Sequence, residues 1–572
     1  MEKRWVYNQE HSPEAAERLA AELGIDLTLA TLLVQRGVDS FDSARRFFRP
    51  SLEHLHNPFL MADMDRAVER VTQAVERGER ILFYGDYDVD GTTAVALMYS
   101  FFRQRGYSQL GYYIPDRYKE GYGISVQGID YAAQNGYSLV VALDCGIKAN
   151  ERVAYARQHN IDCIICDHHL PGDQIPEAVA VLDPKRSDCQ YPYKHLSGCG
   201  VGFKLLQGYC TRNGIPMDEL YPHLDLLAVS IASDIVPITD ENRVMAHFGL
   251  ERLNTSPSTG LKAIIKAAGV QRQRLAIDDI VFRIGPRINA AGRMESGRTA
   301  VDLLCATDDS SAHSICALIN SCNNDRKHID RSITHEAIRM LASSGQQQHR
   351  YTTVLFNPSW HKGVVGIVAS RLIETYYRPT VVLTQSGDMA TGSARSVPGY
   401  DLYQAIESCA DLLENFGGHT YAAGLTMRVE RVDEFRERFE EYVRRTIDPS
   451  MRSPQVNVDA RIALSDISDK FFRILKQFQP FGPGNMSPVF ETDHVVDTGE
   501  GRLVGTEKEH LKLSLMQGEN ARRYDAIAFH LAEHYPEVHR RSPFNICYTL
   551  HENEFRGEIS LQLRVKDIKF DR

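Results

Sequence analysis

Long apolar runs are missing from this chain. No segment approaches the about 18 consecutive apolar residues that a helix needs to cross a bilayer. The opening MEKRWVYNQEHSPEAAERLA lacks the apolar core of a secretory signal, so the cytoplasm is the expected compartment. A basic excess is missing too. Against 75 Asp and Glu stand 65 Lys and Arg, a net charge of −10, so no bulk positive field draws the protein to nucleic acid. A local basic groove remains compatible with that balance, and bound cations would cancel part of the acid. The cysteines are 11, an odd number, and several lie in apolar runs, as Cys163 and Cys166 do in IDCIICDHH. No second C-x-x-C with finger-like spacing accompanies that pair. An extended strand would also turn its two thiols to opposite faces, so buried reduced thiols are expected, not zinc or a redox couple. Internal repeats and low-complexity tracts are absent. At 572 residues the chain exceeds one core, and about two to four domains are expected.

What is present is organised by period. Residues 1–50 read as a short helical extension, with SPEAAERLAAEL opening on a Ser-Pro cap. Over residues 51–270, apolar strands alternate with helices. RILFYG precedes TTAVALMYSFFRQ, whose Val95, Met98, Phe101 and Phe102 share a helical face, and SLVVAL precedes ANERVAYARQHN. DCIIC and AVAVL follow as strands. Continuously apolar strands alternating with helices imply an α/β unit built on a parallel sheet covered on both faces. Residues 271–348 read as a connecting helical region, with a bridging helix over roughly Ser310–Ser343 and SSGQQQHR as a linker. A second α/β unit is expected over 349–450, with TTVLF, GVVGIVASRLIE and TVVLT. Residues 451–572 turn to period two, with Ile559, Leu561, Leu563 and Val565 on one face, and form a small β domain.

GDYDVDG, Gly85–Gly91, sets three aspartates at alternate positions and closes on glycine. A calcium loop of the EF-hand type begins this way, but its twelfth position, where a bidentate glutamate belongs, is Leu97, and the preceding RILFYG is a strand, not a helix. The other acidic residues suggest a different ion site. Asp88 and Asp90 follow one apolar strand, Asp144 follows SLVVAL, and Asp167, His168 and His169 follow DCIIC. Asp234 follows the apolar stretch in AVSIASDIVP. In an open parallel sheet the carboxyl ends of the strands share one edge, where ligands bind. Carboxylates gathered there repel one another unless cations neutralise them, and with one or two histidines they suit Mn2+ or Mg2+. More acids than one ion can use suggests two ions and a phosphate-ester cleavage.

These motifs resemble a known family. DYDVDG, LDCGI, CDHH and ASDIVP look like the four ordered motifs of the DHH phosphoesterase superfamily. GPRINAAGRM, WHKGVVGIVASRL, TGSARS, NFGGHTYAAGLTM and FQPFGPGNMSPVF look like its RecJ branch. The resemblance implies a DHH domain joined by a helix to a DHH-associated domain around a ring-like cleft, with a C-terminal OB-fold barrel. It implies a two-metal exonuclease that degrades single-stranded DNA 5′→3′ to 5′-mononucleotides in recombination and repair. Asp88, Asp90, Asp144, His168 and Asp234 would be the metal ligands, with Asp144 the bridge. Asp86 and Asp167 would stand behind them and His169 beside the reacting phosphate. Some relatives place a further ligand histidine where this chain has Tyr84, so one ion would be held more loosely.

Within the same resemblance, Arg287, Arg293 and Arg395 are candidates for the nucleic-acid backbone, because guanidinium binds phosphate in a fork. Ser393 would donate to a terminal 5′-phosphate, and His361 belongs to the same phosphate-binding set. Gly417, Gly418 and His419 would present successive N–H groups to an anion. Arg117 and Lys119, in DRYKEGYG, are weaker candidates. A single-strand-binding protein and a helicase are the expected partners of a monomer. Two other readings compete: a phosphohydrolase of short oligonucleotides, which would not need the β domain, and a replication scaffold without catalysis, which should have lost ligands that are all present here.

Overall fold

The computed structural model describes residues 2–8, 12–270, 274–343, 349–518, 522–555 and 557–570. Most of the expected SSGQQQHR linker lies outside them. The chain forms two compact units, Tyr7–Asn320 with Asn457–Arg572, and Met1–Val6 with Ser321–Val456. No helix among the described residues is long and apolar enough to cross a membrane.

The first sheet has five parallel strands in the order Leu110–Tyr113, Ile81–Gly85, Leu139–Leu143, Asp162–Cys166, Ala180–Leu182. Its chain order is therefore 2-1-3-4-5, a doubly wound sheet whose order reverses between its first and third strands. The residues of Ile81–Gly85 and Leu139–Leu143 are buried throughout, which is why both read as unbroken apolar runs. The edge strand Leu110–Tyr113, half-buried, escaped the sequence reading because LGYY has no period. Cys163 packs in the core on one face of the sheet and Cys166 on the other, and all eleven cysteines are buried thiols. Burial pushes the Cys163 thiol up to about 12.

Two stretches share cores with their neighbours. Within the expected connecting helical region, Ile277, Ile280, Ile284, Ile288, Val301 and Ile319 lie in the same core as the parallel sheet. Only the far part of the helix Asp309–Ser343 packs elsewhere, with Ile333, Ala337 and Leu341 in a core of the second unit. The helices Pro13–Leu23, Leu27–Val34 and Phe41–Phe48 are not a detached extension. Leu19, Leu29 and Leu33 share one core with Phe478, Leu513 and Val565 of the β domain. Ser12 caps the first helix, as expected, accepting from the Ala15 N–H at 3.2 Å.

The β domain is a seven-stranded sheet that closes through pairing of Phe490–Asp497 with His510–Met516. Leu563 and Val565 face its core, whereas Ile559, at the tip of the Phe544–Phe555 and Glu558–Phe570 hairpin, is 56% exposed. The alternation continues there, but the hairpin outruns the barrel that would cover it. The second unit holds a mixed five-stranded sheet, in which Thr353–Phe356 and Thr380–Ser386 run parallel and the other pairs antiparallel.

Candidate active site and metal centre

The DYDVDG segment is a strand end turning into a helix. Asp86 leaves the strand, Asp88 caps the helix Val89–Gln104 by accepting from the Gly91 N–H at 3.0 Å, and Asp90 lies in its first turn. The closing glycine follows from this: a Cβ on Gly91 would lie 2.5 Å from the Asp86 backbone. The Asp90 carboxylate is held by three donors, the N–H groups of Gly198 (2.6 Å) and Cys199 (2.8 Å) at the start of Gly198–Arg212, and the Ser230 hydroxyl (2.7 Å). Those donors sit far along the chain, and no local signal announced them.

Asp144 leaves its strand in the left-handed region, φ 60°, which aspartate tolerates better than most residues. Asp234 ends the helix Leu224–Ser233 rather than a strand. His168 joins the segments: its Nε2 lies 3.2 Å from Asp144, 3.6 Å from Asp234 and 3.8 Å from Asp90. Three ligand triplets result, each with its atoms within 4.8 Å of one another: Asp86, Asp88 and Asp144; Asp90, His168 and Asp234; Asp144, His168 and His169. Asp144 belongs to two of them, the position a bridging carboxylate requires. Asp86, expected behind the ligands, also belongs to one of these groups.

Burial is the largest influence on these acids and mutual repulsion the second. Together they hold Asp86 and Asp144 well above the usual carboxylate range, raise Asp88, and push Asp234 up to about 9. Burial also takes His168 down to about 4, leaving the neutral imidazole that ligates metals. Asp86 Oδ1, Asp144 Oδ1, Asp234 Oδ2 and both His168 ring nitrogens are buried with no hydrogen-bond partner among the described residues. Buried polar atoms are normally paired, so this oxygen-rich donor set with its unsatisfied atoms fits divalent cations.

Asp167 has the opposite character. Its carboxylate accepts from the N–H groups of Ile147, His168 and His169 and from His169 Nδ1 at 2.7 Å. Burial would raise it, but the His169 hydrogen bond and charge outweigh that and hold it at about 2. Burial likewise opposes charge on His169, yet Asp167 outweighs it and raises the imidazole above its ordinary value. Asp167 thus orients His169 and favours its protonated form.

The site holds residues the sequence reading underrated or passed over. In DRYKEGYG, the Tyr122 hydroxyl donates to the Asp144 carbonyl at 3.0 Å and lies 3.2 Å from His169 Nδ1. The Arg117 guanidinium stacks 4.3 Å over the Tyr87 ring, and its charge favours the ionised forms of Asp86 and Asp88. Lys119 is exposed on the same loop. Asp183 ends the strand Ala180–Leu182 in the same strand-then-aspartate pattern as Asp144, and burial pushes it up to about 7. Lys185 follows and acts electrostatically on Asp234 and His168. Tyr84, by contrast, does not occupy a ligand position. It is buried in the core, where its hydroxyl donates to the Gly123 carbonyl at 2.9 Å and accepts from the Ser125 N–H at 3.1 Å.

The phosphate-binding candidates divide between the units. Arg293 ends the helix Gly285–Met294, and its carbonyl accepts from the Tyr118 hydroxyl at 2.7 Å, which ties it to the DRYKEGYG loop. Arg287 is spent locally, donating to Asn320 Oδ1 at 3.1 Å and to the Arg283 carbonyl at 2.6 Å. In the second unit, Arg395 donates to Ser393 Oγ at 2.6 Å, and both border Gly366 near the start of the helix Val365–Tyr376. His361 Nδ1 accepts from the Gly363 N–H at 3.1 Å, fixing the turn that enters that helix. Gly417, Gly418 and His419 are not an anion-binding turn. They belong to the exposed edge strand Asn415–His419, paired with Ala422–Arg428, and successive N–H groups of a strand point in opposite directions.

Comparison with known proteins bears on this geometry. The chain matches the DHH family, N-terminal domain, over residues 80–231, the DHHA1 domain over 348–445 and the RecJ OB domain over 458–567. A protein named single-stranded-DNA-specific exonuclease RecJ from Bacillus subtilis is 35% identical, covering 99% of this chain and 70% of its own. Its namesake from Salmonella typhimurium is 33% identical, covering 96% of this chain and 97% of its own. The crystal structure of RecJ with Mn2+ from Thermus thermophilus aligns with all of this chain and 80% of its own, at TM-score 0.84 and 25% identity. The same protein with Mg2+ aligns at TM-score 0.78 and 24% identity. With the three domains in order and that identity over nearly a whole relative, the chain belongs to the RecJ family of DHH phosphodiester hydrolases.

Proposed function

We propose that this protein is a metal-dependent exonuclease that degrades single-stranded DNA 5′→3′, releases 5′-mononucleotides and serves recombination and repair. The observation that carries this reading is the cluster of Asp86, Asp144, His168 and Asp234 with its buried unsatisfied atoms, at the edge where the sheet order reverses. A match to an OB domain in the same chain favours a polymeric substrate over short oligonucleotides. Its site of action is the cytoplasm, as a monomer working beside a single-strand-binding protein and a helicase.

Asp88, Asp90, Asp144, His168 and Asp234 would hold two divalent cations, with Asp86 close enough to assist. When bound, Mn2+ or Mg2+ there lowers the pKa of an attacking water and stabilises charge on the phosphate. The protein supplies the rest. Asp90 is immobilised by three donors, so its oxygens keep their direction. His168 is neutral and able to ligate. His169 has Nδ1 held by Asp167, which favours its protonated form, and that form would offer Nε2–H to a non-bridging phosphate oxygen. Arg117 and Lys185 balance the site's negative charge. Breaking the bond from phosphorus to O3′ leaves a 3′-hydroxyl on the released nucleotide and a new 5′-phosphate on the strand, so each product presents the same end group again. Ser393 and Arg395 are the residues we assign to that 5′-phosphate, with His361 and His419 beside the strand.

A 3′-labelled single-stranded oligonucleotide, incubated with protein and Mn2+ beside its blunt duplex, tests this. Progressive shortening from the 5′ end with the duplex spared is expected. Survival of the long strand while dinucleotides are cleaved would move the substrate to short oligonucleotides.

A further inference from the structure

The residue after Asp234 is in an unusual place. Ile235 occupies the position just past the end of the helix Leu224–Ser233, and its φ is 59°. Helices often end with one left-handed residue there, and it is usually glycine or asparagine. A β-branched side chain in that region is a genuine outlier, because its Cβ crowds the following carbonyl. Ile235 gains nothing from packing in return, being 64% exposed. Such strain persists only where the surroundings over-determine it, and it gathers at functional sites.

The surroundings do over-determine it. On one side, the Asp234 N–H donates to the Ser230 carbonyl at 2.9 Å. On the other, Pro237–Thr239 is gripped by the FGPGN loop of the β domain, a motif the proposed chemistry does not use. The Ile238 N–H donates to the Pro483 carbonyl at 2.7 Å, and a Cβ on Gly482 would strike Ile238 at 2.4 Å. The Pro237 carbonyl accepts from Tyr193 at 3.0 Å and Asn242 at 2.9 Å. The chain is fixed on both flanks and Ile235 stands out between them.

Two other exposed apolar side chains adjoin residues of the cluster. Leu170, which follows His169, is 59% exposed, and Tyr122, hydrogen-bonded to the Asp144 carbonyl, is 54% exposed. Each is a chain neighbour or hydrogen-bond partner of a residue in the cluster centred on His168. Exposed apolar side chains beside a phosphate-cleaving site have one apolar partner in a nucleic acid, the base, and only an unpaired, unstacked base can reach them.

We infer that Ile235 is braced in its strained conformation to hold an apolar side chain against the unpaired base next to the phosphate being cleaved, with Leu170 and Tyr122 on the same platform. This rests on the nuclease reading above and adds a reason for single-strand specificity: in a duplex that base is covered by its neighbours. The side chain is a substrate contact, and the FGPGN loop is its brace.

The test is Ile235→Asn in the full chain. Asparagine suits the left-handed region, so Tm should be no lower than wild type, and Mn2+ affinity by calorimetry should be unchanged. KM for a single-stranded oligonucleotide should rise about fivefold, the scale of one buried apolar contact. An oligonucleotide abasic at either of its two 5′-terminal nucleotides should cost the wild type a similar factor and Ile235→Asn nothing more. Three results would overturn the inference: an unchanged KM, a fall in Mn2+ affinity that matches the loss of activity, or abasic and substitution effects that simply multiply. A wild-type protein that leaves single strands intact would sink the nuclease reading itself, which is a different result from a competent wild type matched by its variant.

Discussion

Two buried groups of charge lie in the catalytic domain, and they are built in opposite ways. In one, Glu241 and Lys204 have fully buried side chains and form an ion pair at 3.1 Å. The Glu241 carboxylate also accepts from Tyr191 at 2.5 Å and from the His56 N–H at 3.2 Å, and Lys204 donates to the His56 carbonyl at 2.6 Å. Charge and hydrogen bonds both close within the protein. In the other, Asp86, Asp88, Asp144 and Asp234 lie together with no lysine or arginine ion-paired to them among the described residues, and several of their atoms have no hydrogen-bond partner there. Both place carboxylates in apolar surroundings, so an acid in an apolar setting does not by itself tell them apart. What separates them is whether the surrounding protein completes the charge, and where it does not, an ion must.

The largest test of that contrast is Asp144→Ala. It removes the one acid shared by two ligand triplets, so nuclease activity should fall by at least ~10³-fold. The metal-free variant should be no less stable than wild type, because one repelling buried charge has gone. A folded variant that keeps more than a tenth of the activity would break the ligand assignment. Glu241→Ala should do the reverse. Leaving Lys204 buried without its partner should cost roughly 3–5 kcal/mol of stability, while Mn2+ affinity of the folded protein stays near wild type. If Glu241→Ala loosens Mn2+ as much as it lowers Tm, the two groups are not independent and the comparison fails.

Metal addition sharpens the same point. Mn2+ at about a hundred times its Kd should stabilise the wild type by about 2.7 kcal/mol per site, seen as a rise in Tm. Asp144→Ala should lose most of that rise and Glu241→Ala should keep it.

How much of this could be read in the sequence depends on distance along the chain. Asp88, Asp144 and His168 were legible because each follows an unbroken apolar run, and a parallel sheet brings the ends of such runs together. Asp234 was legible as a motif but not as a helix end. The donors that lock Asp90 were not legible: Gly198, Cys199 and Ser230 look like ordinary helix residues until the helices pack. Tyr122 and Arg117 sat in a loop with no period, and their roles arise from where Asp144 and Tyr87 stand in space. The glycines at Gly417 and Gly418 misled, because two glycines fit a turn and an edge strand equally well. Residues 1–50 read as a helical extension, and nothing in them said that the barrel would cover their helices. Left-handed φ at Ile235 is the extreme case, since no residue type predicts it less.

The smallest expected effect concerns the second unit, where polar groups are partnered within the protein and exposed enough to be shared. Arg395 donates to Ser393 Oγ and to the Ala394 carbonyl at 2.8 Å, so its guanidinium is positioned before any phosphate arrives. Arg395→Ala should therefore remove one charge-assisted phosphate contact, weakening single-strand binding about tenfold and lowering the salt dependence of binding by roughly one ion. Mn2+ affinity should not move, because every acid in the metal cluster belongs to the other unit. Strand affinity measured at several salt concentrations, beside Mn2+ calorimetry on the same sample, separates the outcomes. Loss of Mn2+ binding would mean that the two units are coupled more tightly than their separate cores imply. An unchanged salt slope would mean that Arg395 serves Ser393 and the strand, not the phosphate.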